Sequence, residues 1–256
     1  MYKYHAEVLQ HLHEGFKTDK PSKFKDLKKY IGTNYEHIGL SVPKQRLIFK
    51  TGFSFSHLSL KEQLDVWNDI WMNSNHYELM NIALLFAGKH LSQFDATDIW
   101  DVLKNWVTKT DNWAHSDGLS SIYAQLLEQQ PEIVYAQYTL WNTSHNPWER
   151  RQSIVGLLYY SRIRKNIYPY KKLVAMVQPL LKDENYFVQK GIGWTLREMW
   201  NVYPTETLTF IKAHITDITA TAFTVAIEKL DVTEKQQLKE VRKLKKNISP
   251  TQILKR

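Results

Sequence analysis

Apolar residues recur at helical spacing along most of the chain, and polar stretches separate the runs. One run covers Tyr2 to Phe16, and a second begins with Phe24 and continues to Ile31. Pro43 is suited to the first residue of the next helix, because an α-helix has no use for the N–H that proline lacks there. A further amphipathic run covers Ser59 to Met72. The pattern predicts a group of N-terminal helices over residues 1–72.

From residue 73 onward the pattern repeats. Four times, a polar turn residue and an aromatic residue precede an apolar helical run, and the aromatics are Tyr77, Trp113, Trp148 and Phe187. Their separations are 36, 35 and 39 residues, and another helical run lies within each interval. A period of about 40 residues with two helices per unit is typical of HEAT and armadillo repeats. Because one such unit cannot bury its apolar face alone, the units are expected to stack.

The remaining elements complete this prediction. First helices of the repeats are expected over residues 95–107, 131–141 and 170–181, a fifth degenerate unit over 204–230, and a basic closing helix with a tail over 231–256. No stretch rich in glycine, serine or proline divides the chain, so one domain over residues 1–256 is expected, with its repeats at 73–230. The predicted class is an all-α, HEAT/armadillo-like repeat superhelix.

Composition narrows the classes of partner and chemistry. The 256 residues include 34 lysines and arginines against 26 aspartates and glutamates, which gives a net charge of +8. This balance favours an anionic partner, with nucleic acid ahead of an anionic membrane surface. The absence of cysteine excludes disulfides and thiolate chemistry. Histidine spacing indicates no metal site, no glycine-rich phosphate loop occurs, and no apolar run indicates a signal peptide or membrane span. We therefore expect a cytoplasmic protein.

When the repeats are aligned, one acidic residue is placed beside basic residues of two other repeats. Three and four residues after the aromatics, the sequence has Met80-Asn81, Ser116-Asp117, Arg151-Gln152 and Lys190-Gly191. Second helices commonly line the concave face of such solenoids, so we expect a concave basic groove that contains Asp117. Further cations that would widen the groove are Arg150, Arg197, Lys44 and Arg46. A basic groove fits a phosphate backbone.

Asp117 then has two interpretations. As an ion-pair partner of Arg151 across the repeat interface, it would be structural. At ~4 Å from a phosphate, its like-charge repulsion would weaken DNA binding by about 1 to 4 kcal/mol, so a functional reason for an acid at this place is expected. Stabilising the oxocarbenium-like sugar formed when an N-glycosidic bond breaks would supply one.

Trp113 and Trp194 likewise have one structural and one functional interpretation. Each fits a helical core, and each could instead present an aromatic face to a cationic purine. Gly191 and Gly193 precede Trp194, and a helical glycine costs about 1 kcal/mol relative to alanine. We therefore expect close packing or a close approach at this pair.

Four segments carry a resemblance to a known family, the HEAT-repeat alkylpurine DNA glycosylases (bacterial AlkD-like DNA alkylation repair enzymes). Residues 185–198, NYFVQKGIGWTLRE, resemble the motif of that family's fourth repeat, and 146–154, NPWERRQSI, resemble its third-repeat motif. Residues 111–117, DNWAHSD, resemble the catalytic segment, and 38–43, IGLSVP, the N-terminal loop. The similarity covers residues 20 to 230 of this sequence.

The resemblance implies duplex DNA with alkylated bases as partner and a monofunctional glycosylase that excises 3-methyladenine, 7-methylguanine and similar cationic bases. It implies no metal or cofactor, no membrane, action as a monomer, and a bacterial cytoplasmic protein that associates with the nucleoid when it acts. The catalytic acid would be Asp117, and the cleft tryptophans would be Trp113 and Trp194. The arginine that contacts the DNA backbone would be Arg151 or its neighbour Arg150. The basic groove expected from the repeat pattern adds Lys190 and Arg197 as candidates for further phosphate contacts.

Other positions match the family loosely or depart from it. Tyr30 is a loose match to an N-terminal cleft tyrosine. The sequence departs at His115-Ser116, where bulkier apolar residues are common, and at Ser41-Val42 in the loop, and these departures bear on substrate preference. Three hypotheses remain: an alkylpurine glycosylase that leaves an abasic site, a non-catalytic HEAT-repeat protein that binds duplex or branched DNA, and a scaffold that binds another protein.

Overall fold

The structure, a computed structural model, describes residues 2–19 and 26–247. Within these ranges the chain is helical, and its β structure is limited to an isolated bridge between Glu36 and His76. The α-helices are α1 Tyr2–Phe16, α2 Leu27–Ile31, α3 Val42–Thr51, α4 Leu60–Asn73, α5 Tyr77–His90, α6 Ala96–Leu103, α7 Trp113–Gln129, α8 Pro131–Asn142, α9 Pro147–Val155, α10 Tyr170–Val177, α11 Tyr186–Val202, α12 Pro204–Ala213, α13 Ala220–Ala226 and α14 Val232–Asn247. Short 3-10 helices cover Leu91–Gln93, Lys104–Lys109, Ser161–Ile163 and Gln178–Leu180. The predicted all-α, helical-repeat class is confirmed.

The N-terminal helices lie close to their predicted bounds. Helix α1 has the predicted limits, and α4 begins after Ser59, whose hydroxyl and the Glu62 carboxylate form a capping box. The prediction that Pro43 begins α3 is wrong by one residue, because Ser41 caps the helix and Val42 is its first residue. The predicted helix start at Phe24 lies outside the described residues, as does the tail over 248–256.

Two of the first helices end earlier than predicted. Helix α6 ends at Leu103 and α10 at Val177, and each continues as a 3-10 helix. In the second case Pro179 gives the reason, because its ring would clash with the carbonyl four residues earlier in a continuing α-helix. Helix type therefore changes at both places, while the path of the chain remains helical.

The chain forms two compact units, Met1–Val134 and Tyr135–Arg256. The expectation of one domain over residues 1–256 stays a prediction. In the first unit, the indoles of Trp71 and Trp106 stack with ring centres 4.7 Å apart, and the Trp71 N–H donates to the Trp106 carbonyl at 2.9 Å. None of the described helices is both long and apolar enough to cross a membrane.

In the second unit, α11 packs closely against its neighbours at two glycines. A Cβ on Gly193 would lie 2.4 Å from the carbonyl oxygen of Ala222 in α13. A Cβ on Gly191 would lie 3.2 Å from Nη1 of Arg151 and 3.2 Å from Cγ2 of Val155, both in α9. Because side chains at these positions would collide with the neighbouring helices, the expected close packing at the glycine pair is confirmed.

Candidate functional site

The second helices of the repeats begin with a shared capping device. The side chains of Asn112, Asn146 and Asn185 precede α7, α9 and α11, and each accepts a hydrogen bond from a backbone N–H of the first turn. The repeats can therefore be aligned by the first residues of these helices, which is a firmer reference than the aromatic residues. The fifth residues of α5, α7, α9 and α11 are Asn81, Asp117, Arg151 and Lys190. This comparison removes the ambiguity of one position that the sequence left: the acid Asp117 is equivalent to the two cations.

The segment before α7 is tied to the first unit's N-terminal part by the Asp111 carboxylate. It accepts hydrogen bonds from the Thr33 hydroxyl at 2.7 Å, the Asn34 backbone N–H at 2.7 Å and the Asn112 side chain at 2.8 Å. The Tyr35 hydroxyl donates to the backbone carbonyl of Lys109 in the same region. Burial, with the Asp111 charge as a second cause, raises the pKa of Tyr35 to about 12. The phenol is therefore a permanent donor at neutral pH.

Trp113, the first residue of α7, contacts Tyr30 of α2. Its indole N–H donates to the Tyr30 carbonyl at 3.0 Å, and the two rings meet edge to face with centres 5.5 Å apart. Tyr30 is 51% exposed, and Trp113 is half-buried. The loose sequence match at Tyr30 thus corresponds to a direct contact with Trp113. One turn further along α7, the side chain of Asp117 is also half-buried.

His115 is a buried residue that fixes the first turn of α7. Its Nδ1 lies 3.0 Å from the Asn112 side-chain nitrogen and its Nε2 lies 3.1 Å from the Tyr77 carbonyl oxygen. The bonding pattern assigns the proton to Nε2, because Asn112 donates to Nδ1 and the Tyr77 carbonyl can only accept. Burial lowers the pKa of His115 to about 4. The departure from the family pattern at this position is therefore a neutral, hydrogen-bonded histidine.

The loop before α3 is held by a buried acid that the sequence did not single out. The Glu78 carboxylate accepts hydrogen bonds from the backbone N–H groups of Ile38 at 3.0 Å, Gly39 at 2.8 Å and Leu40 at 3.2 Å. Gly39 has a φ of 88°, which a residue with a side chain rarely adopts. An acid within an apolar helical run was the available sign of this role.

The loop in turn positions the cations of α3. Ser41 donates to Asp19 through its backbone N–H and its hydroxyl, at 2.7 and 3.0 Å. The Lys44 ammonium reaches the Thr18 hydroxyl at 2.8 Å, and Arg46 is exposed. The departure from the family pattern at Ser41 thus coincides with a helix cap that also pairs with Asp19.

In the second unit, the two arginines of α9 are bound to protein acceptors. Arg150 donates to both Asp183 carboxylate oxygens, at 2.6 and 3.2 Å, and to the Ser144 carbonyl at 2.8 Å. Arg151 is 5% exposed, and its Nη1 donates to the Phe187 carbonyl at 2.8 Å. Both guanidiniums hold neighbouring segments of this unit together, and their predicted phosphate contacts stay predictions.

Trp194 lies in a cluster of aromatic rings and one cation. Tyr159 stacks on it with ring centres 5.3 Å apart, and Tyr160 meets it edge to face at 6.2 Å. The guanidinium carbon of Arg197 lies 5.9 Å from the indole centre, and Arg197 also pairs with Glu228 at 2.6 Å. The half-buried indole therefore offers less free aromatic face than the sequence led us to expect.

Two cavities of the second unit were not predicted. One, of about 550 Å³, is lined by Tyr160, Arg162, Ile163, Arg197, Glu198, Asn201 and Lys229. The other, also of about 550 Å³, lies between α13 and α14, and its basic lining residues are Lys235, Lys239, Arg242, Lys243 and Lys246. The lysines of α14 that line this cavity recur at intervals of three or four residues, which was readable from the sequence as one helix face. The first cavity combines residues that are far apart in sequence, so no local pattern indicated it.

Comparisons with known proteins agree with this architecture. The sequence profile of the family described as DNA alkylation repair enzyme matches residues 9–230. The chain is similar to a predicted DNA alkylation repair enzyme from Enterococcus faecalis, with a TM-score of 0.68 and 17% identity over 80% of this chain and 93% of that one. It is also similar to AlkD2 from Streptococcus mutans, with a TM-score of 0.52 and 16% identity over 92% and 97% of the two chains. At these identities the solved structures support the fold alone. No curated protein sequence is significantly similar.

Within the described parts of the chain, 2–19 and 26–247, no three histidine, aspartate or glutamate side chains converge in a way that could hold a metal ion. The expectation of chemistry without metal or cofactor stays a prediction.

Proposed function

The chain belongs to the DNA alkylation repair enzyme family, and from that premise we propose that it is a monofunctional glycosylase. Its substrates would be cationic alkylated purines in duplex DNA, such as 3-methyladenine and 7-methylguanine, and its product an abasic site. The observation that carries the proposal is the half-buried carboxylate of Asp117, one turn beyond Trp113 on a helix whose start is held by hydrogen bonds.

The proposed reaction is hydrolysis of the bond between the base and C1′ of the sugar. The bonding electrons leave with the purine, so an alkylated cation departs as a neutral base and the sugar becomes oxocarbenium-like. The Asp117 carboxylate stabilises this cation and orients a water molecule. The water oxygen bonds to C1′, and its proton is released to solvent. The positive charge of the lesion is thereby balanced without a Schiff-base lysine.

Trp113 and Tyr30 are proposed to contact the damaged nucleotide. The Trp113 indole N–H is used by the Tyr30 carbonyl, so the orientation of the ring is fixed before DNA binds. An aromatic face attracts a cation by about 0.5 to 2 kcal/mol, which favours an alkylated base over a neutral one. The pair thus supplies selectivity, and Asp117 supplies transition-state stabilisation.

Trp194 is proposed to contact DNA in a different way. Tyr159 stacks on its ring, and the Arg197 guanidinium lies 5.9 Å from its centre. A fixed cation beside the indole opposes a cationic base and favours a phosphate or sugar. We therefore propose that Trp194 and Arg197 contact the DNA backbone.

The remaining phosphate contacts are proposed for cations with accessible side chains. Lys44, Arg46 and Lys190 are exposed or half-buried, whereas Arg150 and Arg151 already donate to protein acceptors. Each phosphate neutralised changes the slope of log affinity against log salt by about 0.9. Salt dependence therefore measures how many of these cations take part.

The second candidate function is non-catalytic binding of duplex or branched DNA on the same scaffold. It is favoured by the cation beside Trp194, which suits a phosphate better than a cationic base. In this function Asp117 would only weaken binding through like-charge repulsion. The two candidates therefore predict opposite consequences of neutralising Asp117.

The test is release of 7-methylguanine and 3-methyladenine from alkylated duplex DNA. We expect release by the wild type and a rate at least ~100-fold lower for Asp117→Asn, a loss typical of a missing transition-state charge. Asp98→Asn, which removes an exposed acid from α6 in the same unit, is the matched control and should retain the wild-type rate. Duplex binding without base release by the wild type, unchanged or tighter in Asp117→Asn, would establish the second candidate instead.

A further inference from the structure

Tyr160 has an unusual backbone conformation for a residue with a side chain. Its φ and ψ are 51° and 69°, and within residues 2–19 and 26–247 it alone, apart from glycines, has a positive φ. The left-handed region disfavours residues that carry a bulky Cβ substituent. Strained backbone of this kind persists only where the surroundings impose it, and it concentrates at functional sites.

The surroundings that impose it are a buried acid and the residue after Tyr160. The Glu198 carboxylate accepts hydrogen bonds from the backbone N–H and hydroxyl of Ser161, at 2.9 and 2.6 Å, and from Asn201 at 3.3 Å. These bonds anchor the 3-10 segment Ser161–Ile163 to α11. The Tyr160 ring nevertheless remains 55% exposed. The fold thus maintains a strained backbone and leaves the ring in solvent.

The exposed ring borders the cavity of about 550 Å³ described above. Three cations line the same cavity, Arg162, Arg197 and Lys229, together with the Asn201 amide. Its acid, Glu198, is bonded to Ser161 and Asn201 and also pairs with Arg197 at 3.8 Å. Aromatic faces stack on nucleic-acid bases, and arginine and lysine bind phosphates. The volume is also within the usual range of small-molecule sites.

We propose that this cavity binds one nucleotide of a DNA strand, with Tyr160 stacked on its base or sugar and Arg162 and Lys229 on its phosphate. Tyr160 and Arg197 both contact the Trp194 ring, so this nucleotide is a near neighbour of the one that meets Trp194. The inference rests on the proposed function only in taking DNA as the ligand. It does not depend on catalysis by Asp117.

Relief of the strain separates a ligand-binding role from a structural one. Tyr160→Gly adopts a positive φ without penalty, which offsets the lost contact of the ring with Trp194, so its thermal midpoint should not fall. Loss of the ring should weaken binding of a short unmodified duplex about 10-fold, measured by fluorescence anisotropy. Tyr160→Asn, which also tolerates this conformation, should behave like the glycine variant. Tyr160→Phe keeps the ring and should bind within about twofold of the wild type.

The cations give an independent readout. Arg162→Ala and Lys229→Ala should each reduce the slope of log affinity against log salt by about 1. Lys171→Ala removes an exposed lysine from α10, outside the cavity, and should leave that slope unchanged.

Two results would overturn the proposal. In the first, the wild type binds duplex DNA and the cavity variants have the same affinity and the same salt slope as the wild type. In the second, Tyr160→Gly and Tyr160→Asn lose affinity only to the extent that their thermal midpoints are lower. Failure of the wild type to bind any duplex would remove this proposal and the proposed function together. Base release without an effect of the cavity variants on affinity would remove this proposal alone.

Discussion

Helices α7 and α11 both begin at an asparagine cap, and they differ in the contacts that they make with neighbouring segments. Each follows an asparagine cap, Asn112 or Asn185, and each bears a charged fifth residue, Asp117 or Lys190. Directional hydrogen bonds hold α7: the Asp111 carboxylate accepts from the Asn34 backbone N–H in the loop after α2, and the His115 ring donates to the Tyr77 carbonyl. Helix α11 also has side-chain hydrogen bonds, from Arg151 to the Phe187 carbonyl and from Ser161 to Glu198, and in addition its two glycines lie in close contact with α9 and α13.

The difference determines what each region tolerates. A hydrogen-bond network depends on protonation and on the identity of each partner, whereas packing of backbone against backbone depends on volume. The hydrogen bonds around α7 suit the role proposed for Asp117, because a catalytic carboxylate must be aimed at a reacting atom. The two regions should therefore fail under different perturbations.

The largest expected effect is the pH dependence that His115 gives to stability. Its folded-state pKa of about 4 lies below the usual histidine pKa of 6.5, so the unfolded chain binds the proton first as pH falls. This contribution is complete above pH 6.5 and is lost as pH falls towards about 4. Between pH 7 and 4.5 the free energy of unfolding should fall by about 2 to 3 kcal/mol from this group.

Urea denaturation at the two pH values measures this loss. His115→Leu removes the titrating group and should lack this part of the pH dependence, while carboxylates elsewhere contribute equally to both proteins. Equal pH dependence in the wild type and His115→Leu would contradict the assignment of a buried neutral histidine.

The second effect tests packing at α11. Gly193→Ala should lower the free energy of unfolding by about 1 to 3 kcal/mol, because its Cβ would lie 2.4 Å from the Ala222 carbonyl oxygen. Gly88→Ala in α5 is the matched control, since a Cβ there meets nothing within 4 Å. It should gain about 0.5 to 1 kcal/mol from helix propensity. Denaturation midpoints should thus move in opposite directions, and by amounts that do not change between pH 7 and 4.5.

Helices α7 and α11 also show which features could be predicted from the sequence and which could not. The glycine pair, the asparagine caps and the helix at Trp113 could be predicted, because periodicity and capping are local properties. The bond from His115 to Tyr77 and that from Arg151 to Phe187 join residues 38 and 36 positions apart, so no local pattern contains them. The sequence therefore predicted Asp117 as a site residue and predicted its helix. It did not predict the partners of the neighbouring charged residues.

Trp194 is a second example of a residue whose contacts could not be predicted from the sequence, and here they bear on function. Its position in α11 follows from the sequence pattern, whereas its aromatic surroundings come from Tyr159 and Tyr160, more than thirty positions earlier. The expectation of a free face for a cationic base came from the residue type and from the family resemblance. The neighbours of the ring are the reason why a contact with the DNA backbone is proposed for it instead.

A third prediction compares the two caps directly. Asn185→Ala should cost about 1 kcal/mol, the usual value of an N-cap. Asn112→Ala loses its cap and also leaves Nδ1 of buried His115 without a donor, which should add about 1 kcal/mol or more. Base release should decrease with Asn112→Ala at a temperature where the protein remains folded, since the first turn of α7 carries Trp113 and precedes Asp117. Equal costs for the two variants, measured by urea denaturation, would mean that the network around His115 adds nothing to the cap.

The smallest expected effect concerns the cation of the second region. Glu228 pairs with Arg197 at 2.6 Å and so competes with a phosphate for the guanidinium. Glu228→Gln should tighten binding of unmodified duplex DNA about two- to threefold, which corresponds to about 0.5 kcal/mol and to the usual worth of an exposed ion pair. Glu206→Gln, on α12, adds the same unit of positive charge at an exposed position and controls for net charge. A larger gain for Glu228→Gln than for Glu206→Gln, at low and at moderate salt, identifies Arg197 as the phosphate contact beside Trp194. Equal gains would mean that only the overall charge matters, and the second region would then lack a specific anionic site at this arginine.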